Sequence, residues 1–443
     1  MKDSMTQKND ALSRIVLAEA PTYTNTTAVL TVGGVDFSLW EVMKAALAAR
    51  LNVGLYGGSG MGKSQLIADV QGLFGNNASY VLGRNDLDIK SLFRQLDFRG
   101  LNDAMQHGGK VSQTELSNVT ADIHKPLVVV EEINRAAEIV QNQLFNIFEG
   151  FIELDGKKYS LGNSEVRTFK DVDGNEFSQN VKYSVGVWTA NLGNGQYSGT
   201  VSMDKALKER SHLILDVDNF PPQPVNLDQI LLGSGGEVRL KEQEHPTDRT
   251  ADFAKAFEGL KQYALTPDPV ALGQELLLLR YLVYGLDYIP NATLGNSKRR
   301  MKEVWPAKAE EDNLGTNEAE KLLYRTVFPA SVRSALTTIS LARALRSYAE
   351  TKDATAKPSV LESFLESLKL IGAYSGMIEN PHRVREEHGG NLYLAASKLS
   401  TVLRGRLDAK KDLMEAIVYY KSQNKALPRE VINKCKGEYA CFL

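Results

Sequence analysis

Gly57-Gly58-Ser59-Gly60-Met61-Gly62-Lys63-Ser64 fits the pattern G-x-x-x-x-G-K-[ST] at every position. The chemistry such a run can do is specific. Glycines admit positive φ, so backbone N–H groups can approach phosphate oxygens. The start of a helix adds partial positive charge. Lys63 places a point charge on the outer phosphates, and the Ser64 hydroxyl is a hard oxygen suited to Mg²⁺. A second group follows at Glu131-Glu132, directly after the apolar run Leu127 to Val130. Acidic residues at the C-terminal tip of a parallel strand face the ligand crevice. One carboxylate can hold Mg²⁺ through water and the other can polarise an attacking water, which suits nucleotide hydrolysis. Asn191, at the end of another apolar run, can orient that water from a neighbouring strand tip. No N-K-x-D signature occurs, which favours adenine over guanine.

These residues need elements to hold them. Ser38 and Glu41 form a capping box that opens a helix running to about Arg50. A strand at 51–56, the glycine-rich turn and a helix with Leu66, Ile67, Val70, Leu73 and Phe74 on one face follow. Leu127 to Val130 reads as a strand buried on both faces. Ile139, Val140, Leu144, Ile147 and Phe148 mark the next helix, and Asp155-Gly156 turns a hairpin. Asp171, Asp173, Gly174 and Asn175 have the glycine at the wrong offset for a calcium loop and read as a polar turn. Strands are expected at 183–189 and 213–215, with a short helix at 204–211 ending near Arg210. Phe220 to Pro224 breaks the chain, and residues 250–435 show helical periodicity. The expected fold is α/β, a phosphate-loop domain with a parallel sheet flanked by helices, followed by an enlarged all-helical domain. The expected divisions are an N-terminal, weakly structured arm over 1–28, the α/β core over 29–222, a linker over 223–250 and a helical lid with C-terminal extension over 251–443.

Composition narrows the partners. Over 443 residues, 52 Lys+Arg against 54 Asp+Glu give a net charge of −2, which argues against a generic nucleic-acid coat. Hydrophobic residues at 43% and charged residues at 24% are globular values. Cys435 and Cys441 are too few for a disulfide framework and read as incidental thiols in a reducing compartment. No His/Cys group has zinc spacing. Residues 1–30 lack an apolar signal segment, and Glu275 to Leu286, interrupted by Arg280, reads as a buried helix. A cytoplasmic protein with no membrane span is expected.

The order of these pieces resembles the AAA+ ATPases, and within them the MoxR family of the clade with a helix-2 insert and a pre-sensor-1 hairpin. Glu131-Glu132-Ile133-Asn134-Arg135 is similar to that family's Walker B run, with Glu131 where an aspartate is usual. Gln141 to Glu149 fills the place of the helix that follows it. Leu207-Lys208-Glu209-Arg210 resembles the element that carries the arginine finger, and Ala330 to Ala335 with Leu341 to Ala344 resembles the sensor-2 helix. The hairpin before Asn191 fits the pre-sensor-1 insertion, and 97–122 is the place for the helix-2 insert. The resemblance covers roughly 30–220 and 325–350; residues 225–325 and 350–443 match no pattern of it.

The resemblance implies ATP and Mg²⁺ as cofactors, bound between subunits of a hexameric homo-oligomer. It implies Gly57 to Ser64 around the triphosphate, Ser64 and Glu131 on Mg²⁺, Glu132 polarising water and Asn191 holding it. Arg210 would act on the neighbouring subunit's nucleotide, and Arg333 would report nucleotide state to the lid. The client it implies is a protein, with a von Willebrand factor A-domain partner frequent in the family, so the ring would be a chaperone-like remodeller. A nucleic-acid translocating or nuclease-associated motor is the alternative. For it, Lys298-Arg299-Arg300 and Lys302 form the best basic cluster, which otherwise reads as a solvated loop. A nucleotide-dependent scaffold with little turnover is a third reading, disfavoured by the Glu131-Glu132 pair.

Overall fold

The computed structural model describes residues 10–18, 22–88, 92–96, 102, 117–154, 156–170, 176–191, 210–234, 247–265, 268–290, 297–299, 327–378 and 381–443. Five strands build one parallel sheet: β1 (Val53–Gly57), β2 (Ala78–Leu82), β3 (Leu127–Glu131), β4 (Val185–Asn191) and β5 (Leu213–Asp216), in the order β5-β1-β4-β3-β2. Both faces are covered, so the strands read as nearly unbroken apolar runs. Alternation sends Val53, Leu55, Val129 and Val187 to one face, against helix α2 (Lys63–Phe74) through Leu66, Ile67 and Val70. Val128, Val130, Trp188 and Ala190 meet the other face, against α3 (Glu138–Phe148) through Val140, Leu144 and Ile147. Gly54 is required by close approach: a Cβ there would lie 2.1 Å from the Trp188 ring.

The Ser38–Glu41 capping box forms as expected and starts α1 (Leu39–Ala48). Phe151–Leu154 and Lys157–Ser160 pair as an antiparallel hairpin. A second antiparallel pair, Asn163–Lys170 with Glu176–Tyr183, runs into β4; Asp171 to Asn175 between them lie outside the described residues.

The first 28 residues are not weakly structured where they are described. Residues 10–16 are helical, and Leu12, Ile15 and Ala18 are buried in the α/β core. The reason is a contact with another helix: Lys44, buried in α1, donates to the carbonyls of Ile15 (2.9 Å) and Val16 (3.0 Å), satisfying the helix end. Arg14 adds an ion pair with Asp252. The expected linker over 223–250 contains a helix, α4 (Pro224–Ser234), for which the proline supplies a start rather than a break. Helix α5 (Thr250–Leu265), placed by sequence in the lid, packs on the α/β core, its Phe253 stacked on Phe74 at 5.0 Å.

The remaining helices share a second core. They include α6 (Pro269–Val283), α7 (Val332–Lys352), α8 (Val360–Tyr374), α9 (Leu392–Asp408) and α10 (Lys411–Ser422). Leu277, Leu278, Tyr281 and Leu282 of the greasiest stretch are buried there, and no described helix is long and apolar enough to cross a membrane. This helical part grips the tip of β5. Tyr374 donates to Asp216 at 3.1 Å, while the Tyr393 hydroxyl accepts from the Asp216 amide at 2.9 Å and donates to the Ile214 carbonyl at 2.8 Å.

Candidate functional site

The glycine-rich turn leaves β1 at Gly57 and enters α2 at Gly62, which is the left-handed N-cap of that helix. Gly57, Gly60 and Gly62 have φ of 147°, 81° and 78°, values that admit glycine and little else. A Cβ on Gly60 would meet nothing within 4 Å, whereas one on Gly62 would strike the Tyr23 ring. The Lys63 ammonium is held back against the loop, donating to the carbonyls of Gly57 (2.9 Å) and Gly58 (2.5 Å). Burial lowers its pKa, opposed by the charges of Asp218, Glu132 and Asp216. The Gly58 amide donates to Asp218 Oδ2 at 2.8 Å. Burial also raises the pKa of Asp69, which accepts the Tyr23 amide at 2.8 Å and ties the N-terminal segment to α2.

The tips of β3 and β4 bring the acidic pair and Asn191 together. Asn191 lies level with Gly57 in the β4–β1 register. Glu132 takes a left-handed conformation (φ 52°), and its amide donates to the Thr189 hydroxyl at 2.9 Å. Its carboxylate meets Asn191 Nδ2 at 3.5 Å and Arg135 at 3.1 Å. Asn134 supports the arrangement by donating to the Asn191 carbonyl at 3.0 Å. Glu131 shares with Val129 the sheet face that α2 covers, and its carboxylate accepts the Tyr80 hydroxyl at 2.5 Å. Burial and the Glu131 carboxylate push the Tyr80 phenol well up.

Arg210 and Arg333 sit elsewhere. Both pair with Glu149, at 3.2 and 2.8 Å, and the Arg210 guanidinium lies 5.0 Å over the Phe145 ring. Asn52, the residue before β1, donates to the carbonyls of Phe148 (2.8 Å) and Arg210 (2.9 Å), so this cluster lies at the start of β1 and the phosphate loop at its end. A five-residue strand separates the two by about 16 Å. Arg333, the residue expected to report nucleotide state to the lid, thus lies on the helical region's side of a pair with Glu149 of the α/β core. Ser331 caps α7, and from the first turn of that helix Arg333 reaches Glu149.

Five contributors had no assigned role in the sequence: Tyr23, Tyr80, Arg135, Glu149 and Asp218. Arg135 and Glu149 lie in motifs already singled out. Tyr23, Tyr80 and Asp218 carry no local signal, because strand pairing and the return of the N-terminal segment bring them in. Leu207 to Glu209, Arg300 and Lys302 lie outside the described residues, as does most of 97–122.

The donor set fits a nucleotide triphosphate with Mg²⁺. The glycine turn is an open cradle at Gly60, with a cationic side chain at its base. Among the described residues no group of three or more His, Cys, Asp or Glu could hold a metal alone. Ser64 and Glu131 would therefore share it with phosphate oxygens, the usual pattern for Mg²⁺.

Comparison with known proteins agrees with this geometry. Residues 52–210 match the family model described as AAA domain, dynein-related subfamily. No curated protein matches the chain. Among solved structures, a "putative ATPase" from Cytophaga hutchinsonii superposes with a TM-score of 0.53 at 12% identity, over 90% of this chain and 96% of that one. That likeness concerns the fold. The chain carries an AAA ATPase domain on a five-stranded parallel sheet, followed by a helical region.

Proposed function

We propose that this ATPase works as a ring of identical subunits of the MoxR type, a hexamer, that uses ATP hydrolysis to remodel a protein client. One observation carries the reading: a hydrolytic constellation at one end of the sheet, with two arginines at the other. Lys63 and the loop amides would neutralise the triphosphate. Ser64 and Glu131 would hold Mg²⁺, which when bound supplies positive charge to the phosphate oxygens. Glu132 would polarise water, and Asn191, 3.5 Å from it, would fix that water in place. Arg210 is too far from its own phosphate loop to stabilise charge there, and so is Arg333. Both would serve the loop of an adjoining subunit.

The Glu131-Glu132-Ile133-Asn134-Arg135 run supports the MoxR assignment, and the net charge of −2 favours a protein client over nucleic acid. A partner with a von Willebrand factor A domain and a cytoplasmic location follow from the same resemblance. The test is recovery of Glu132→Gln, held in ATP and Mg²⁺, from its native cells. A stoichiometric protein supports the reading. Nuclease-sensitive DNA or RNA, lost at modest salt, would replace it with a nucleic-acid motor.

A further inference from the structure

Glu131 stands one methylene further from its backbone than the aspartate usual at this place, and an additional torsion must be fixed before its carboxylate can ligate anything. The structure shows how that torsion is fixed. In the β2–β3 register Tyr80 lies opposite Val129 and Leu82 opposite Glu131, so Tyr80 and Glu131 project from the same sheet face on neighbouring strands, one step diagonal. The Tyr80 hydroxyl donates to Glu131 Oε2 at 2.5 Å. The backbone is clamped at the same place: the Gly83 amide donates to the Glu131 carbonyl at 2.7 Å, and a Cβ on Gly83 would lie 2.3 Å from the Glu132 carbonyl oxygen. Backbone and side chain of Glu131 are thus both tied to β2.

We propose that Tyr80 is a positioning residue for the metal site: its phenol holds Oε2 of Glu131 and presents Oε1 to the divalent cation that accompanies the nucleotide. The proposal rests on Glu131 being a ligand of that cation. A long carboxylate steered by a phenol from the next strand then does what a shorter one does unaided. Tyr80 touches neither nucleotide nor water in this role. Its removal should alter metal affinity and leave the hydrolytic groups Glu132 and Asn191 as they are.

The experiment is a double-mutant cycle read by Mn²⁺ binding in the presence of ADP, followed by electron paramagnetic resonance, so that turnover is not needed. Tyr80→Phe should weaken Mn²⁺ binding roughly fivefold, the cost of fixing a side-chain torsion that the phenol otherwise holds. The same variant should raise the Mg²⁺ concentration needed for half-maximal ATP turnover by a similar factor, with kcat at saturating Mg²⁺ little changed. In a Glu131→Asp background the shorter side chain falls short of the phenol, and Tyr80→Phe should then have no effect. Equal Mn²⁺ affinity in wild type and Tyr80→Phe overturns the proposal, as does an equal loss in both backgrounds. If Glu131→Ala binds Mn²⁺ as wild type does, the ligand assignment itself is wrong and the proposal falls with it. Unfolding temperatures of all variants guard against a merely structural effect, since a half-exposed phenol on an edge strand should cost little stability.

Discussion

Arg210 and Arg333 close on the same oxygen, Oε1 of Glu149, at 3.2 and 2.8 Å, from two segments far apart in the chain. One precedes β5 and the other opens α7, so the α/β core and the helical region jointly build a cationic pair. Its position at the start of β1 sets the first prediction. Arg210→Ala and Arg333→Ala should bind nucleotide normally. The loss of turnover for Arg210→Ala should be on the order of 10³-fold, as for other arginines that stabilise phosphoryl-transfer charge. Mixing subunits gives the decisive version. Lys63→Ala subunits have intact arginines and a defective loop; Arg210→Ala subunits have the reverse. Their mixture should recover turnover that neither shows alone. No recovery in assembled mixed rings would rule out action between subunits.

Glu132 is the other side chain whose removal should stop chemistry without stopping binding. Its carboxylate lies beside Asn191 and Arg135, and its left-handed backbone is secured by Thr189. Glu132→Gln keeps the shape and loses the base, which should cost between about 10² and 10⁴ in kcat. Isothermal titration with ATP and steady-state phosphate release separate the two quantities. Unchanged phosphate release would move the base elsewhere.

Much of this candidate site is legible in the sequence. The glycine turn and the acidic pair lie in short contiguous runs whose residue types have few other uses, and the continuous Leu127 to Val130 run fixed a doubly covered strand. Asn191 was legible from its place at a strand end. What could not be read was anything settled by pairing between distant segments. Tyr80 meets Glu131 only through the β2–β3 register, and Asp218 meets Gly58 only because β5 lies beside β1. The fate of residues 10–18 was hidden for a similar reason. Three apolar positions make a weak helical signal alone, and the buried Lys44 that stabilises the segment lies in another helix. The Glu149 partner of Arg333 was hidden as well, because a motif gives a residue's neighbours in sequence and its partner depends on where the helical region docks.

His212 carries a pH signature that belongs to the fold. Its Nδ1 accepts the Asn52 amide at 3.0 Å at the foot of β1. Burial, with the positive charges of Arg333 and Arg50, lowers its pKa from 6.5 to about 4. The unfolded chain therefore binds more protons between those two values, and stability rises with pH across that window. The contribution is complete above about pH 6.5 and is lost as pH falls through about 4, a difference of about 3 kcal/mol. His212→Asn keeps an acceptor for Asn52 and tolerates the left-handed φ of 44°, yet cannot titrate. Urea unfolding from pH 7 to pH 4 should show a shallower decline in this variant than in wild type. Parallel declines would mean that His212 does not supply the linkage.

Asp218 offers a last test, on binding. Its carboxylate does two opposed things at the phosphate loop. It accepts the Gly58 amide at 2.8 Å, which holds the turn in shape, and it places negative charge where a polyanion must come. Its charge also opposes the burial-driven fall in the Lys63 pKa. The two effects separate by substitution. Asp218→Asn keeps an oxygen acceptor and removes the charge, so ATP should bind more tightly, by a factor of about three, because an exposed like charge is well screened. Asp218→Ala removes both, and the gain should be offset by a loosened turn whose Gly58 amide has lost its acceptor. Titration calorimetry at low and high salt distinguishes the terms: the Asn advantage should shrink as salt rises, while the difference between Asn and Ala should persist. If Asp218→Asn binds ATP more weakly than wild type, the carboxylate is needed as a charge, and its role is to orient Lys63 rather than to hold Gly58.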